Sequence, residues 1–329
     1  MGALRIGLIG LGIHGARYAR HISEDIRDAR LAAVCRRDRA KGEVFAAAHG
    51  ARYFADFRAL IDSGEVDAVC AVVPPDLHPE IAEAAAGAGV ALLLEKPLAI
   101  DLPGARRIVA AAAATKAPIM VAHTLRYNRT VLEVRRRLPE LGPIHLVAFN
   151  QRFEPAGRDW LDQPGPGGVI LNTGIHEFDL LRFVTGCEVR SVLCRARSVV
   201  TERTEDLFAA VMDLEPGPVL ATVDASRAVG GRSNRIEIAA RDGQLVGDHG
   251  LGKLRLLTGR VSQRVPRQDD VPTVREALAD FARTVRGEIP NPIPAVEGAR
   301  AVAIAVACHA SAAAHGAPVT VEAIEPPSG

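Results

Sequence analysis

The stretch Leu4-Arg5-Ile6-Gly7-Leu8-Ile9-Gly10-Leu11-Gly12-Ile13-His14-Gly15 decides the fold. A short apolar run ends in a GxGxxG loop that opens a helix-compatible segment. In such a loop Gly10 makes the tight turn, Gly12 lets backbone approach a pyrophosphate, and Gly15 allows helix and strand to pack closely. The backbone N–H groups of the first helical turn, around Ile13 and His14, then face the phosphates. The same grammar continues to about residue 122. Apolar runs at 31–35, 67–73, 90–94 and 119–122 alternate with helix-like stretches. Strands that are apolar throughout belong to a parallel sheet covered on both faces. The expectation is α/β: a doubly wound parallel sheet over 1–122, with ligands at the carboxyl ends of its strands.

Beyond residue 122 the pattern changes. A polar amphipathic helix is expected near 128–138, a strand at 144–152, and a Gly- and Pro-rich loop over 154–168. A helix to about Val184 follows, then runs of alternating polarity between 188 and 257 separated by turns such as Glu215-Pro216-Gly217 and Arg241-Asp242-Gly243. Alternation of that kind predicts a second α/β domain over 123–329 with a large open, mostly antiparallel sheet. Two helices, near 274–286 and 295–315, close the chain and are expected to pack back.

Composition narrows the class. Lys+Arg of 40 against Asp+Glu of 39 leaves a net charge of +1, which gives no electrostatic reason for nucleic acid or an acidic membrane surface. No uninterrupted apolar stretch reaches the ~18 residues of a membrane span. The chain opens straight into a strand without a charged leader and apolar h-region. Five cysteines without CxxC spacing read as buried thiols, so a cytoplasmic location is expected. Lysine occurs only at 41, 96, 116 and 253; the other 36 of the 40 Lys and Arg residues are arginine. Lys96 therefore stands out beside a strand end, because an ammonium can give up a proton and a guanidinium cannot.

Three further segments carry chemistry. Cys35-Arg36-Arg37-Asp38 ends the second strand, where an acidic residue would hold a ribose 2′-OH and an arginine a 2′-phosphate. Arg36 and Arg37 favour NADP(H), with NAD(H) possible; Asp38 either caps the next helix or reaches the ribose. Glu95-Lys96-Pro97 follows a buried strand and falls at the same sheet edge, with Pro97 compatible with a cis bond. Lys96 there polarises a substrate oxygen, or is a surface lysine paired with Glu95. In Gly167-Gly168-Val169-Ile170-Leu171-Asn172-Thr173-Gly174-Ile175-His176-Glu177-Phe178-Asp179, a continuous α-helix would place Asn172, His176 and Asp179 on one stripe. His176 suits a general base, Asn172 holds the imidazole or a substrate hydroxyl, and Asp179 holds the imidazole from the other side, contacts substrate or ties down the helix. Arg158 and Trp160, in the preceding loop, are candidate substrate contacts. No metal is expected: no second His or Cys lies at ligand spacing.

In these motifs, together with Val72-Val73-Pro74-Pro75-Asp76-Leu77-His78 and Thr124-Leu125-Arg126-Tyr127-Asn128, the chain resembles the Gfo/Idh/MocA family over essentially its whole length. The resemblance implies a Rossmann domain and a second domain with an open sheet often used for homo-oligomers, dimer or tetramer. It implies NAD(P)-dependent hydride transfer to or from a sugar, polyol or related carbonyl compound. It makes Lys96 and His176 the catalytic pair and puts Pro74 and His78 beside the cofactor. Two departures stand out. Asn172 occupies a place where many members carry Asp, and Arg36 one where NAD-preferring members often do. Two other readings remain: an enzyme that keeps its cofactor bound with no net redox change, and a dinucleotide-sensing regulator without turnover.

Overall fold

The computed structural model describes residues 2–155, 162–165 and 167–325. Arg158 and Trp160 lie outside the described residues. The chain forms two compact units: 1–124 with 272–299 and 325–329, and 125–271 with 300–324. The return of 272–299 to the first unit moves the boundary from the simple division at 122/123.

The first unit contains β1 (Leu4–Ile9), α1 (Ile13–Glu24), β2 (Ala29–Cys35), α2 (Arg39–His49), β3 (Arg52–Phe54), α3 (Phe57–Ile61), β4 (Ala68–Ala71), α4 (His78–Ala88), β5 (Ala91–Glu95), α5 (Leu102–Ala113) and β6 (Ile119–Ala122). Its six strands run in the order β3-β2-β1-β4-β5-β6, all parallel. Strand order reverses direction at β1/β4, the switch point where open α/β sheets bind ligands. The expected strands are present and wholly or largely buried. Sequence periodicity overlooked β3 and α3, whose three and five residues are too short to show a period. Helix starts follow side-chain chemistry: Asp38, Asp56 and Asp101 each accept backbone N–H groups as N-caps of α2, α3 and α5.

The second unit holds α6 (Arg129–Arg137), β7 (Ile144–Arg152), α7 (Ile175–Thr185), β8 (Glu188–Arg197), β9 (Leu207–Glu215), β10 (Val219–Ser226), β11 (Ser233–Ala240), β12 (Gly243–Asp248), β13 (Lys253–Thr258) and β14 (Val261–Arg264). Helix α8 (Thr273–Val285) belongs to the first unit, where it packs on α1. Helix α9 (Ala295–Ala313) gives its first residues to the first unit and the rest to the second, and β15 (Val319–Thr320) completes the sheet. The nine strands run β14-β13-β12-β11-β7-β10-β9-β8-β15, antiparallel except for the β7–β10 pair. Burial alternates along β7 to β10, as the period of two requires. The inner side chains Val147, Phe149, Phe208, Met212, Ala221 and Val223 are fully or almost fully buried. Helix α9 is long and apolar enough by composition to cross a membrane, but 61% of its apolar window is buried inside the protein. It is a core helix, with Glu297 and Arg300 interrupting the apolar run.

One contact in the second unit ties core packing to the segment before α7. A Cβ added to Gly174 would stand 2.8 Å from the Phe208 ring and 3.1 Å from that of Phe178. Gly174→Ala should lower stability by about 1–3 kcal/mol through overpacking. Phe208→Leu in the same chain should recover part of that loss, as measured by chemical denaturation of the single and double variants.

Candidate active site

In the first unit, each glycine of the loop does a separate job. Gly10 has φ +94°, and a side chain there would collide with the Val72 carbonyl. A side chain on Gly15 would strike the Gly10 carbonyl. Around Gly12 nothing stands within 4 Å of a Cβ, so the backbone there is open to a ligand. Helix α1 has no side-chain cap and no acidic residue in its first turn. Its leading N–H groups and positive dipole end suit an anion. Ile13, 80% exposed at the mouth of this loop, offers an apolar surface beside it. These residues fit the pyrophosphate of a dinucleotide.

At the end of β2 the half-buried Arg36 donates from Nη1 to the Leu11 carbonyl at 3.0 Å, which brings its guanidinium to the glycine loop. Arg37 is exposed. Asp38 accepts from the Lys41 N–H at 3.1 Å, so the helix cap is the role that the structure gives it.

Glu95, at the carboxyl end of β5, is 7% exposed. Its Oε1 accepts from the Tyr18 hydroxyl at 2.5 Å and lies 3.0 Å from His14 Nε2; its Oε2 accepts from the Lys96 N–H at 3.0 Å. Burial pushes the Glu95 pKa up, but the His14 hydrogen bond, the charges of His14 and Lys96, and the Tyr18 hydroxyl outweigh it and hold the carboxyl below its ordinary range. The buried carboxylate therefore ties the glycine-loop helix to the backbone that carries Lys96. The Lys96–Pro97 bond is cis. His78 does not stand where a ligand could meet it: it is fully buried, and its Nδ1 lies 3.0 Å from the Leu98 carbonyl. Burial holds its pKa below the usual histidine value, so the ring is neutral and acts as a strut beneath the Lys96 segment. That corrects its expected contact with cofactor. Pro74 is exposed in the turn after β4, before the short 3-10 turn Pro75–Leu77.

In the second unit, the Gly167–Asp179 segment is not one continuous α-helix. Gly168, at φ +83°, starts it, and the Glu205 carbonyl and carboxylate take the N–H groups of Val169 and Ile170 at 2.8 and 3.0 Å. Residues Ile170–Gly174 form a π-helical turn, and α7 begins at Ile175. The wider turn breaks the phase of an α-helical stripe. Asn172 and Thr173 are drawn to Arg227, whose Nη2 donates to Asn172 Oδ1 at 2.6 Å and whose Nε donates to Thr173 Oγ1 at 2.7 Å. His176 is half-buried in the first turn of α7.

Asp179 is committed elsewhere. It is 1% exposed, and Arg126 Nε and Nη2 both donate to its carboxylate, at 2.9 and 2.6 Å. This buried, forked ion pair makes Asp179 an anchor of α7 and corrects its expected place among substrate contacts. Asp162, just after the undescribed part of the loop, accepts the N–H groups of Glu202, Arg203 and Thr204. Although desolvation raises its pKa, these bonds and the Thr204 hydroxyl bring it down to about 2. Among the described residues no group of three His, Cys, Asp or Glu side chains is gathered as a metal site would need.

Sequence reasoning missed Tyr18, Arg126 and Arg227. Tyr18 had a signal, lying one helical turn after His14. Arg126 stood inside a quoted motif without a role. Arg227 follows a strand with nothing in its neighbourhood to mark it, and only the fold brings it to Asn172.

An open glycine cradle at a doubly wound switch point, beside a lysine at the sheet edge, defines a dinucleotide-binding oxidoreductase class. The family models agree: residues 4–123 match the oxidoreductase family with NAD-binding Rossmann fold, and residues 139–246 match the GFO/IDH/MocA C-terminal domain. The chain belongs to the Gfo/Idh/MocA oxidoreductase family. It is 30% identical to inositol 2-dehydrogenase 2 of Saccharopolyspora erythraea, covering 97% of this chain and 96% of that one. It is similar to UDP-N-acetylglucosamine 3-dehydrogenase from Acidithiobacillus ferrooxidans at 26% identity, with a TM-score of 0.85 over 95% of this chain and 99% of that one. The fold also matches an oxidoreductase domain protein from Kribbella flavida, TM-score 0.90 at 23% identity over 98% and 100% of the two chains.

Glu177, next to His176, is fully buried, and neither carboxylate oxygen has a hydrogen-bond partner among the described residues. Burial first, and the Asp224 charge second, push its pKa well above the carboxylate range. With the folded-state pKa raised, the group's contribution to stability is full below the unfolded pKa of about 4.3 and is lost as pH rises through the folded value. Glu177→Gln should therefore gain stability relative to the parent as pH increases from about 4 through neutrality. Urea unfolding midpoints across that range check it; a constant difference would contradict a buried neutral Glu177.

Proposed function

We propose that this protein oxidises or reduces a CH–OH group of a sugar, polyol or related compound, using NADP(H) in preference to NAD(H). The observation that carries the reading is the open backbone at Gly12 on the same carboxyl sheet edge as Lys96, with Glu95 holding both segments. A bound nicotinamide dinucleotide supplies the hydride donor or acceptor. Gly10, Gly12, Ile13, His14 and Gly15 form its phosphate cradle. Arg36 and Arg37 at the end of β2 offer two guanidinium groups to a 2′-phosphate, while Asp38 is engaged in the cap of α2. Lys96 donates to the reacting substrate oxygen, His176 carries its proton, and Asn172 orients the substrate. The names of the relatives, an inositol dehydrogenase and a nucleotide-sugar dehydrogenase, support a carbohydrate-like substrate. Five buried free thiols accord with a cytoplasmic setting.

The open sheet supports a homo-oligomer. On the outer face Leu146 is in register with Leu220, and Leu193 with Val211; Val211 and Leu220 are diagonal neighbours. This apolar row crosses four strands and remains 39–43% exposed in the single chain. A second copy of the sheet would remove it from water.

Absorbance at the reduced-nicotinamide band, with NADP+ or NAD+ and a panel of sugars, polyols and inositols, tests the activity. Turnover is expected, stronger with NADP+. Lys96→Met should lower kcat/KM by about 10²-fold or more while cofactor affinity is kept. Turnover unchanged by that substitution would overturn the role of Lys96.

Light scattering should give a multiple of the 34.9 kDa chain mass. Leu220→Lys should shift the protein toward a single chain, because a charge buried at that contact is unpaired.

A further inference from the structure

Arg227 is held rigidly before it reaches Asn172. Its backbone N–H donates to the Asp206 carbonyl at 2.8 Å, directly after β10. The next N–H, of Ala228, donates to Ser226 Oγ at 3.1 Å. Its guanidinium lies 5.7 Å from the centre of the Phe153 ring. The forked bonds to Asn172 Oδ1 and Thr173 Oγ1 then pin both side chains of the π turn, each of them buried.

The chemistry of the fork decides which way the amide of Asn172 faces. A guanidinium has five N–H donors and no acceptor, so the Asn172 atom that meets it must be the oxygen. An amide nitrogen there would set donor against donor at 2.6 Å. Whatever Asn172 contacts through its other end, it therefore contacts as an N–H donor. We propose that Arg227 is a positioning residue that fixes Asn172 as a donor, so that the site selects an acceptor oxygen, such as a carboxylate or carbonyl, over a hydroxyl that must donate. This inference rests on the reading above in which Asn172 orients the substrate.

An aspartate at 172 inverts the contact, since its second oxygen accepts while the first still meets Arg227. The first test is free of ligand. Carbon-13 NMR of aspartate-labelled protein follows the one extra carboxyl in Asn172→Asp, with Arg227 intact or replaced by Met. The carboxyl should titrate below the ordinary value of about 3.9 with Arg227 present, and above it in the double variant, where burial acts without the guanidinium. The same titration in both proteins would overturn the contact.

The second test reads selection by binding rather than turnover, with reduced cofactor present. D-glucuronate serves as the carboxylate probe and myo-inositol as the hydroxyl probe in calorimetric titrations. The parent should favour glucuronate, and Asn172→Asp should move the ratio of dissociation constants toward myo-inositol by about tenfold or more, a change of about 1.4 kcal/mol. Arg227→Met should collapse the preference and Arg227→Lys should restore part of it, with cofactor affinity retained as the check on folding. A ratio that these substitutions leave unchanged, or no binding of either probe, would overturn the selection. The expected shift in the ratio, in a protein that turns over neither compound, would leave the inference standing and count against the proposed oxidoreductase reaction on such substrates.

Discussion

A buried charge must be paired or hydrogen-bonded, and Glu95 shows how much structure that constraint organises. Its carboxylate ends a wholly buried strand, where desolvation pushes its pKa up. Three donors keep it ionised: a hydroxyl and an imidazole from the first helix, and the backbone N–H of Lys96. The glycine loop sets where α1 begins; Glu95 sets where the Lys96 segment lies against it. His78 supports the same segment from beneath as a neutral ring. The dinucleotide cradle and the lysine are thus parts of one hydrogen-bonded unit rather than two features that happen to share a sheet edge.

The second unit solves a similar problem with arginine. Asp179 and Arg126 neutralise each other in the interior, and Arg182 pairs with Glu188 through two bonds of 2.6 and 2.8 Å. Both pairs anchor α7, the helix that begins with Ile175 and His176. Planar, permanently charged guanidinium groups make such forked pairs where a lysine would make a point contact. The compositional preference of this chain for arginine therefore has a structural use beyond surface charge. Glu177 is the exception in that neighbourhood: buried with no hydrogen-bond partner for its carboxylate among the described residues, it is pushed toward the neutral acid.

Much of the architecture was legible because it rests on period and on local chemistry. The GxGxxG loop, the apolar parallel strands and the Asp caps are decided by residues close in sequence. Gly15 does what its spacing announced, because the clash that excludes a side chain comes from the Gly10 carbonyl five residues earlier, while Gly10 combines a local φ of +94° with a clash against the distant Val72 carbonyl. The alternating strands of the second sheet were legible for the same reason. Very short elements such as β3 escaped, since three residues do not establish a period.

The sequence by itself determined the doubly wound unit, the dinucleotide cradle within it and the family to which the motifs point. Only the tertiary structure decided what individual polar residues do. Asp179 reads in the sequence as imidazole partner, substrate contact or anchor, and the Arg126 guanidinium against it makes it the anchor. His78 could be read as ligand-facing until it was found sealed beneath Leu98. The stripe through Asn172 assumed 3.6 residues per turn, and a π turn changed the phase. In each case the partner lies 20 to 55 residues away in the chain. Hydrogen bonding and burial depend on neighbours in space, and a side chain's sequence neighbours carry no record of those.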